Sequence, residues 1–354
     1  TLMADNYSVD EERLKQVIES WLAADSGERT HLEADLRSAL EPPRMKLLTQ
    51  FNELPQGIKF LVDMRAELLR LRKEHPKLAP LEADLKRLLS AWFDVGLLQM
   101  EEINWRSSAE LLEKLIAYEA VHAIQSWTDL KNRLDSDRRC FAFFHPNMPD
   151  EPLIFVEVAL VKGMANNVQA LLDESAPLED IRLADTAIFY SISNAQKGLS
   201  GISFGNFLIK SVVKKLQQEF PQLKQFATLS PIPGFCRWLD SMDAVKAADL
   251  LGEDSMSSSP EQLQKLAAHY LVEQKQKRNV KHARDPVAHF HLSNGAKLER
   301  LNWMADTSDN GVKQSAGMMV NYLYELPHIE SRSQSYSADG KVAVSTSVEK
   351  QLNL

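Results

Sequence analysis

The sequence predicts an α+β protein: an all-helical bundle over residues 1–118, then a domain of mixed strands and helices over residues 119–354. Two observations carry this prediction. Apolar residues recur at helical spacing through most of the first segment, whereas short β-rich runs alternate with helical runs after Tyr118. The total of 354 residues is enough for two domains of ordinary size.

The first segment is predicted to be helical because its apolar residues fall on single stripes. Leu61, Met64 and Leu68, for example, follow the spacing of one helix face. Proline and glycine separate five predicted helices, at residues 11–23, 31–40, 44–54, 57–74 and 81–92. The segment has no cysteine and no glycine-rich turn, which favours packing or assembly over chemistry.

The second segment mixes both periodicities. Its predicted strands are residues 139–144, 153–161, 185–193, 225–229, 287–292 and 296–303. Helices are predicted at residues 204–220 and 261–274, where an apolar stripe and a Ser-Pro start are the respective signals. The serine-rich residues 331–337 are predicted to form a loop, followed by a short terminal helix.

Composition excludes several classes of protein. Lys and Arg number 41 against 49 Asp and Glu, and the net charge of -8 has the wrong sign for wrapping nucleic acid. No apolar run approaches the roughly 20 residues that cross a bilayer. Two cysteines, Cys140 and Cys236, cannot build a disulfide framework, and the N-terminus shows no export signal, so we expect a cytoplasmic protein.

A glycine-rich loop is the first candidate site. Three of the 13 glycines fall within eight residues, between a predicted strand and a predicted helix. Backbone N–H groups at such a junction suit a phosphate, although a tight turn alone is an equal alternative. The loop is neither a Walker A sequence nor a dinucleotide fingerprint. The candidate binding residues are Ser200, Gly201, Ile202, Ser203, Phe204, Gly205 and Asn206.

Two polar segments are further candidates. Ser230 follows a predicted strand and precedes a proline-stiffened turn, although most Ser-Pro pairs simply start turns. His289 and His291 would share one face of a strand, but the sequence offers no third metal ligand at a suitable spacing. Acid–base catalysis by one histidine, or a structural hydrogen bond, is therefore favoured over metal binding. Asn321 and Tyr324 are either core residues or hydrogen-bonding ligands of a substrate.

Several segments together resemble the malonyl-CoA decarboxylase family. They are Phe189-Tyr190-Ser191-Ile192-Ser193, Leu229-Ser230-Pro231-Ile232-Pro233-Gly234-Phe235, Phe290-His291-Leu292 with Asn294-Gly295-Ala296, and Asn302-Trp303-Met304-Ala305-Asp306. The resemblance covers about residues 119–324, and the N-terminal helices resemble the family's helical domain in size and character.

This resemblance implies a GNAT-like catalytic domain and a helical bundle that assembles a dimer or tetramer. It implies that residues 200–206 bind the CoA pyrophosphate, that Ser230 and His291 are catalytic, and that Tyr324 belongs to the substrate site. The implied reaction converts malonyl-CoA to acetyl-CoA and CO2 through a thioester enolate, with no metal or other cofactor. A CoA-dependent acyltransferase and a non-catalytic CoA-sensing assembly protein are the alternatives.

Overall fold

The computed structural model describes residues 7–178, 180–202, 207–242, 259–277 and 279–353. Contacts within the chain define two units. The helical unit comprises residues 7–97 with the segments 145–151 and 196–202. The second unit, which we call the catalytic unit after the role that the resemblance implies, comprises residues 98–144, 152–195 and the described residues from 207 onward. In these described ranges no helix is long and apolar enough to cross a membrane.

The helical unit contains the five predicted helices. They are α1 (Glu11–Ala23), α2 (Ser26–Leu40), α3 (Arg44–Gln50), α4 (Gly57–Leu71) and α5 (Ala79–Trp92). Helix α2 begins earlier than periodicity predicted because Asp25 and Glu28 form a capping box at its start. Leu61 of α4 and Leu85 and Leu89 of α5 are completely buried, as the apolar stripes indicated.

The prediction of helices up to Tyr118 is wrong at residues 99–103. Strand β1 (Gln99–Ile103) lies there and pairs antiparallel with strand β2 (Arg138–Phe144). Only Ile103 of β1 is buried, so the sequence has no alternating apolar pattern that would predict a strand here. The strand is defined by its pairing with β2. Together with the following helix α6 (Ala109–Tyr118), β1 belongs to the catalytic unit, so the helical unit ends at Leu97 rather than at residue 118.

The catalytic unit is built on an eight-stranded sheet in the order β1-β2-β3-β4-β5-β10-β6, with β9 also paired to β10. The remaining strands are β3 (Ile154–Val161), β4 (Thr186–Asn194), β5 (Gln225–Thr228), β6 (Ser230–Pro231), β9 (Lys297–Asn302) and β10 (Met319–Leu323). A separate two-stranded sheet pairs β7 (Lys275–Gln276) with β8 (Asn279–Ala283). The sheet is mixed, since β4 and β5 are parallel. The predicted α+β class is therefore confirmed.

The parallel strands β4 and β5 pair along only part of β4, and we call them the divergent strand pair. Their pairing ends at Phe189 and Thr228, although β4 continues to Asn194. After β5 the chain continues into β6, where Ser230 lies opposite Val320 of β10, the strand that also pairs with β5. Ligands commonly bind at the C-terminal ends of parallel strands where the sheet changes direction.

Helices complete the catalytic unit. They are α7 (Trp127–Arg133), α8 (Val168–Leu172), α9 (Phe207–Glu219), α10 (Phe235–Asp240), α11 (Pro260–Val272), α12 (Pro286–Ser293), α13 (Asp309–Ser315), α14 (Ile329–Asp339) and α15 (Thr346–Asn353). Helix α9 makes the crossover between the parallel strands β4 and β5, as the strand-loop-helix pattern predicted. Helix α15 matches the predicted terminal helix.

Two predictions in this unit are wrong. Residues 287–292 form helix α12, not a strand, because Asp285 accepts hydrogen bonds from the amides of Val287 and Ala288 and Pro286 occupies the first turn. The predicted loop at residues 331–337 lies within α14. Its buried residues Ile329 and Tyr336 are two turns apart on one face of the helix. The many serines between them favoured the prediction of a loop.

The carboxyl group of Asp285 is fully buried at the start of α12. Burial raises its pKa to about 6, against the lowering effect of three backbone hydrogen bonds, from Ala288, Gly234 and Val287. The native state therefore keeps a proton on Asp285 over a pH range in which the unfolded chain has lost it.

We expect Asp285→Asn to remove this pH dependence. Between about pH 4 and pH 6 the unfolded carboxyl releases its proton before the native one does, so wild-type stability falls as the pH rises. Relative to the variant, the free energy of unfolding of the wild type should drop by about 2 kcal/mol from pH 4 to pH 7. Urea denaturation at both pH values measures this, and parallel curves for the two proteins would contradict it.

Gly295 ends α12 with a left-handed backbone (φ +80°), and a Cβ there would overlap the carbonyl of Ile329 in α14. We expect Gly295→Ala to lower the free energy of unfolding by more than about 3 kcal/mol, since the backbone strain and the steric overlap add. Gly163 is the matched control, because it has a similar φ of +72° but open space around it. Gly163→Ala should cost only about 1–2 kcal/mol in urea denaturation, and equal losses would refute the close contact.

Candidate active site

Ser230 lies at the end of the divergent strand pair. It follows β5 by two residues and is held in β6 by pairing with Val320 of β10. Its Oγ is 2.9 Å from Oγ1 of Thr228, the last residue of β5, and the backbone N–H of Tyr322 donates to the same Oγ1. The Ser230 side chain is therefore fixed by two strands of the sheet.

His291 reaches Ser230 from helix α12. The distance between His291 Nε2 and Ser230 Oγ is 3.1 Å, although 61 residues separate them in the chain. On the other side of the ring, Nδ1 is 2.8 Å from the hydroxyl of Tyr324, the residue after β10. The structure thus brings together three of the predicted site residues, Ser230, His291 and Tyr324.

The hydrogen bonds have one consistent direction. Ser230 O–H donates to Thr228, which leaves a Ser230 lone pair to accept from Nε2–H of His291. Nδ1 of His291 then has no proton and accepts from the Tyr324 hydroxyl. In this arrangement the imidazole is a donor toward Ser230 and not a base, which does not activate the serine as a nucleophile.

Burial keeps this imidazole neutral. His291 is 3% exposed, and burial lowers its pKa to about 3. The Tyr322 ring stacks on the imidazole, with 4.6 Å between the ring centroids. Burial also raises the pKa of Tyr324 well above its usual value, so that hydroxyl keeps its proton.

His289 faces away from this cluster, contrary to the expectation that it shares a face with His291. Because the segment is a helix, residues two apart lie on nearly opposite sides. The ring of His289 stacks on His282, and its Nδ1 is 3.0 Å from the hydroxyl of Tyr336. Within the described ranges, no group of three or more His, Cys, Asp or Glu side chains is placed to hold a metal ion.

Asn321 is a structural residue. Its Oδ1 accepts from Asn302 and Arg300, and its Nδ2 donates to the carbonyls of Thr228 and Ala165. The side chain is fully buried, and all four of these contacts are to protein. Asn321 therefore ties β10 to its neighbours and has no capacity left for a ligand.

The glycine-rich loop is described only in part. Ser203, Phe204, Gly205 and Asn206 lie outside the described residues. The amides of Ser200 and Ile202 donate to the carbonyls of Lys197 and Leu199. Gly201 is exposed with φ +73°, and a Cβ on it would lie 3.5 Å from the Lys86 ammonium nitrogen. Two of the three described candidate residues thus have their amides engaged in a turn, while Gly201 lies beside a cation.

Sequence reasoning missed Thr228 and Asp285. Thr228 lies in a plain β-rich run, and nothing local marks its hydroxyl as a partner of Ser230. Asp285 was detectable, because an Asp-Pro pair ahead of an apolar stretch is a helix-start signal.

Comparisons with known proteins match both parts of the chain to one family. A profile of the malonyl-CoA decarboxylase N-terminal domain matches residues 7–93, and one of the C-terminal domain matches residues 96–354. The mitochondrial malonyl-CoA decarboxylase of Anser anser anser is 36% identical over 393 residues, covering 98% of this chain and 77% of the relative. That of Mus musculus is 38% identical over 359 residues, covering 89% and 72%.

A solved structure is similar over nearly the whole chain. The crystal structure of malonyl-CoA decarboxylase from Rhodopseudomonas palustris has a TM-score of 0.89 and 42% sequence identity, covering 97% of this chain and 87% of that one. The two profiles together account for residues 7–93 and 96–354. The chain therefore belongs to the malonyl-CoA decarboxylase family, whose members are carboxy-lyases.

Proposed function

We propose that this chain converts malonyl-CoA to acetyl-CoA and CO2, with Ser230 and His291 at the reacting end of the substrate. The observation that carries the proposal is the 3.1 Å contact between these two side chains, at the end of divergent strands in a chain of this family. The glycine-rich loop, residues 200–206, is proposed to bind the CoA pyrophosphate.

The reaction needs stabilisation of negative charge more than it needs a nucleophile. The bond between the carboxylate carbon and the α-carbon breaks, and its electron pair passes to the α-carbon and the thioester oxygen as an enolate while CO2 leaves. A proton then adds to the α-carbon. Donors placed where the thioester oxygen becomes negative lower this barrier. No metal or organic cofactor is required by this route.

The neutral state of His291 suits this chemistry. A buried imidazolium would stabilise the substrate carboxylate as well as the enolate, so it would bind the ground state without lowering the barrier. A neutral Nε2–H donor and the Ser230 hydroxyl instead serve the developing enolate. In our proposal Ser230 turns its O–H from Thr228 to the thioester oxygen. His291 passes its Nε2 proton to the α-carbon while Nδ1 takes up the proton of the Tyr324 hydroxyl, and solvent then returns a proton to Tyr324, so the imidazole is neutral before and after the step.

Tyr324 takes a more specific role than general substrate binding. Its hydroxyl is 2.8 Å from Nδ1 of His291, so we assign it to holding the ring in the tautomer that donates from Nε2.

Assembly and location are further parts of the proposal. The helical unit exposes large apolar side chains, which favours self-association into a dimer or tetramer. They include Ile18, Leu22, Leu40, Leu54 and Phe60.

The goose and mouse relatives are named mitochondrial. A cytoplasmic location for this chain stays a prediction.

The first test is product formation from malonyl-CoA alone. We expect the wild type to release CO2 and acetyl-CoA without any acceptor, and His291→Ala to lower kcat by about 10²–10⁴-fold, because one acid–base group contributes that much. His289→Ala is the matched control, since His289 lies on the same helix but contacts Tyr336 instead. Its kcat should stay within about threefold of the wild type, well short of the loss expected for an acid–base group.

Mass detection of both products decides between outcomes. Near-normal turnover by His291→Ala would remove His291 from the mechanism. Thioester consumption that depends on an added amine would instead indicate an acyltransferase.

The second test is the pH dependence of kcat. A lowered pKa of about 3 means that His291 stays neutral throughout the range from about pH 5 to 8. We therefore expect that His291 causes no step in kcat near pH 6.5. Any step found there should also occur in His291→Asn. If catalysis required the imidazolium, kcat would fall about tenfold per pH unit above the pKa. Steady-state CO2 release measures this in the wild type, in His291→Asn and in His289→Ala. The last variant removes the other imidazole of the same helix.

A further inference from the structure

Arg65 of helix α4 is a buried cation that the reaction as proposed does not use. It is 1% exposed, and it forms an ion pair with Glu82 of α5 in which Nη2 and Oε1 are 2.9 Å apart. Nε of Arg65 donates to the same carboxylate oxygen at 3.0 Å. The other oxygen of Glu82 pairs with Arg72 at 3.0 Å, so both oxygens of the buried carboxylate have a cationic partner.

The rest of the Arg65 guanidinium contacts the glycine-rich loop. Nη1 donates to the carbonyl of Gly198, and Nη2 donates to the carbonyl of Ser200 at 2.9 Å. The Ser200 carbonyl belongs to the peptide that joins Ser200 to Gly201, and the Gly198 carbonyl lies two residues earlier. One side chain therefore fixes the orientation of two peptide units that lead into Gly201. The loop segment at residues 196–202 and both helices belong to the helical unit.

Helix α4 also fixes the loop through its backbone. A Cβ on Gly198 would overlap the carbonyl of Val62, so the loop rests directly on the helix. The planar guanidinium can reach two carbonyls and a carboxylate at once, whereas a lysine ammonium is a single point donor. Arg65, Glu82 and the backbone of α4 together hold the loop at residues 198–200.

We propose that Arg65 is a positioning residue for the loop that binds the CoA phosphates, so that the helical unit sets the affinity for the nucleotide part of the substrate. This inference rests on the proposed function. Arg65 acts through the carbonyls of Gly198 and Ser200, which set the direction of the Gly201 peptide next to Lys86. Its effect is confined to the phosphate end of the substrate and leaves the Ser230–His291 pair unchanged.

The test compares two substrates, malonyl-CoA and malonyl-pantetheine, of which only the first carries the pyrophosphate. For Arg65→Met we expect kcat/KM with malonyl-CoA to fall at least tenfold, mainly through a higher KM. With malonyl-pantetheine we expect a change of less than threefold. A general structural defect would lower kcat/KM for both substrates, so the ratio between them separates positioning from damage.

Two further variants complete the design. Arg70→Met is the control, because Arg70 is on the same helix but pairs only with the exposed Glu67. It should behave as the wild type with both substrates. Arg65→Lys keeps the charge but cannot reach both carbonyls, so we expect a smaller loss, again confined to malonyl-CoA. If Arg65→Met does not fold, Arg65→Lys decides the question.

The outcomes are distinct. Equal losses with the two substrates, or no loss with malonyl-CoA, would overturn the role of Arg65. Failure of the wild type to release CO2 from malonyl-CoA would overturn the proposed function instead. A loss specific to malonyl-CoA supports both.

Discussion

A buried imidazole with both nitrogens engaged is the constraint on which the catalytic unit depends. His291 must remain neutral, because burial without a carboxylate partner makes the charged form costly. A neutral ring can satisfy both nitrogens only with one donor and one acceptor, here Tyr324 and Ser230. Three elements must therefore converge: the end of β10, the end of β5 with β6, and helix α12.

The catalytic unit also contains a buried cluster of charged side chains. Arg133 of α7 is buried between Asp129 of the same helix and Glu157 of β3, at 2.7 and 3.2 Å. Burial raises the pKa of Glu157 to about 8, with the neighbouring Glu119 acting in the same direction and Arg133 against it. Glu119 in turn accepts from the hydroxyl of Ser191 in β4. Such networks define a unique packing more than they add stability, since desolvation offsets much of their attraction.

The same principle operates in the helical unit, where Arg65 and Glu82 are also buried as a pair. Arg65 also donates to the backbone carbonyls of Gly198 and Ser200 in the glycine-rich loop. A loop has few backbone partners of its own, so a rigid side chain from a packed helix is an effective way to define it. This gives the helices a proposed role in substrate binding besides the proposed self-association.

Local signals in the sequence determined much of the architecture. Helices α1 to α5 followed from apolar stripes and from prolines at their boundaries, and β2 to β5 followed from short β-rich runs. The segments around Ser230 and His291 carried a resemblance specific enough to indicate the family, while their catalytic role stays a prediction. Two local signals compete in one segment of the catalytic unit. The apolar run at residues 287–292 suggested a strand, but the Asp285-Pro286 start makes it a helix.

Tertiary structure decided what depends on residues far apart in the chain. Strand β1 has one buried residue, so only its pairing with β2 makes it a strand. Thr228 became a site residue because β5 ends next to Ser230, and Arg65 reaches a carbonyl 133 residues away. Periodicity and caps report interactions within a few residues of each position, and the sequence by itself determined those. Hydrogen bonds across such separations exist only after packing has brought the elements together, so no local pattern encodes them.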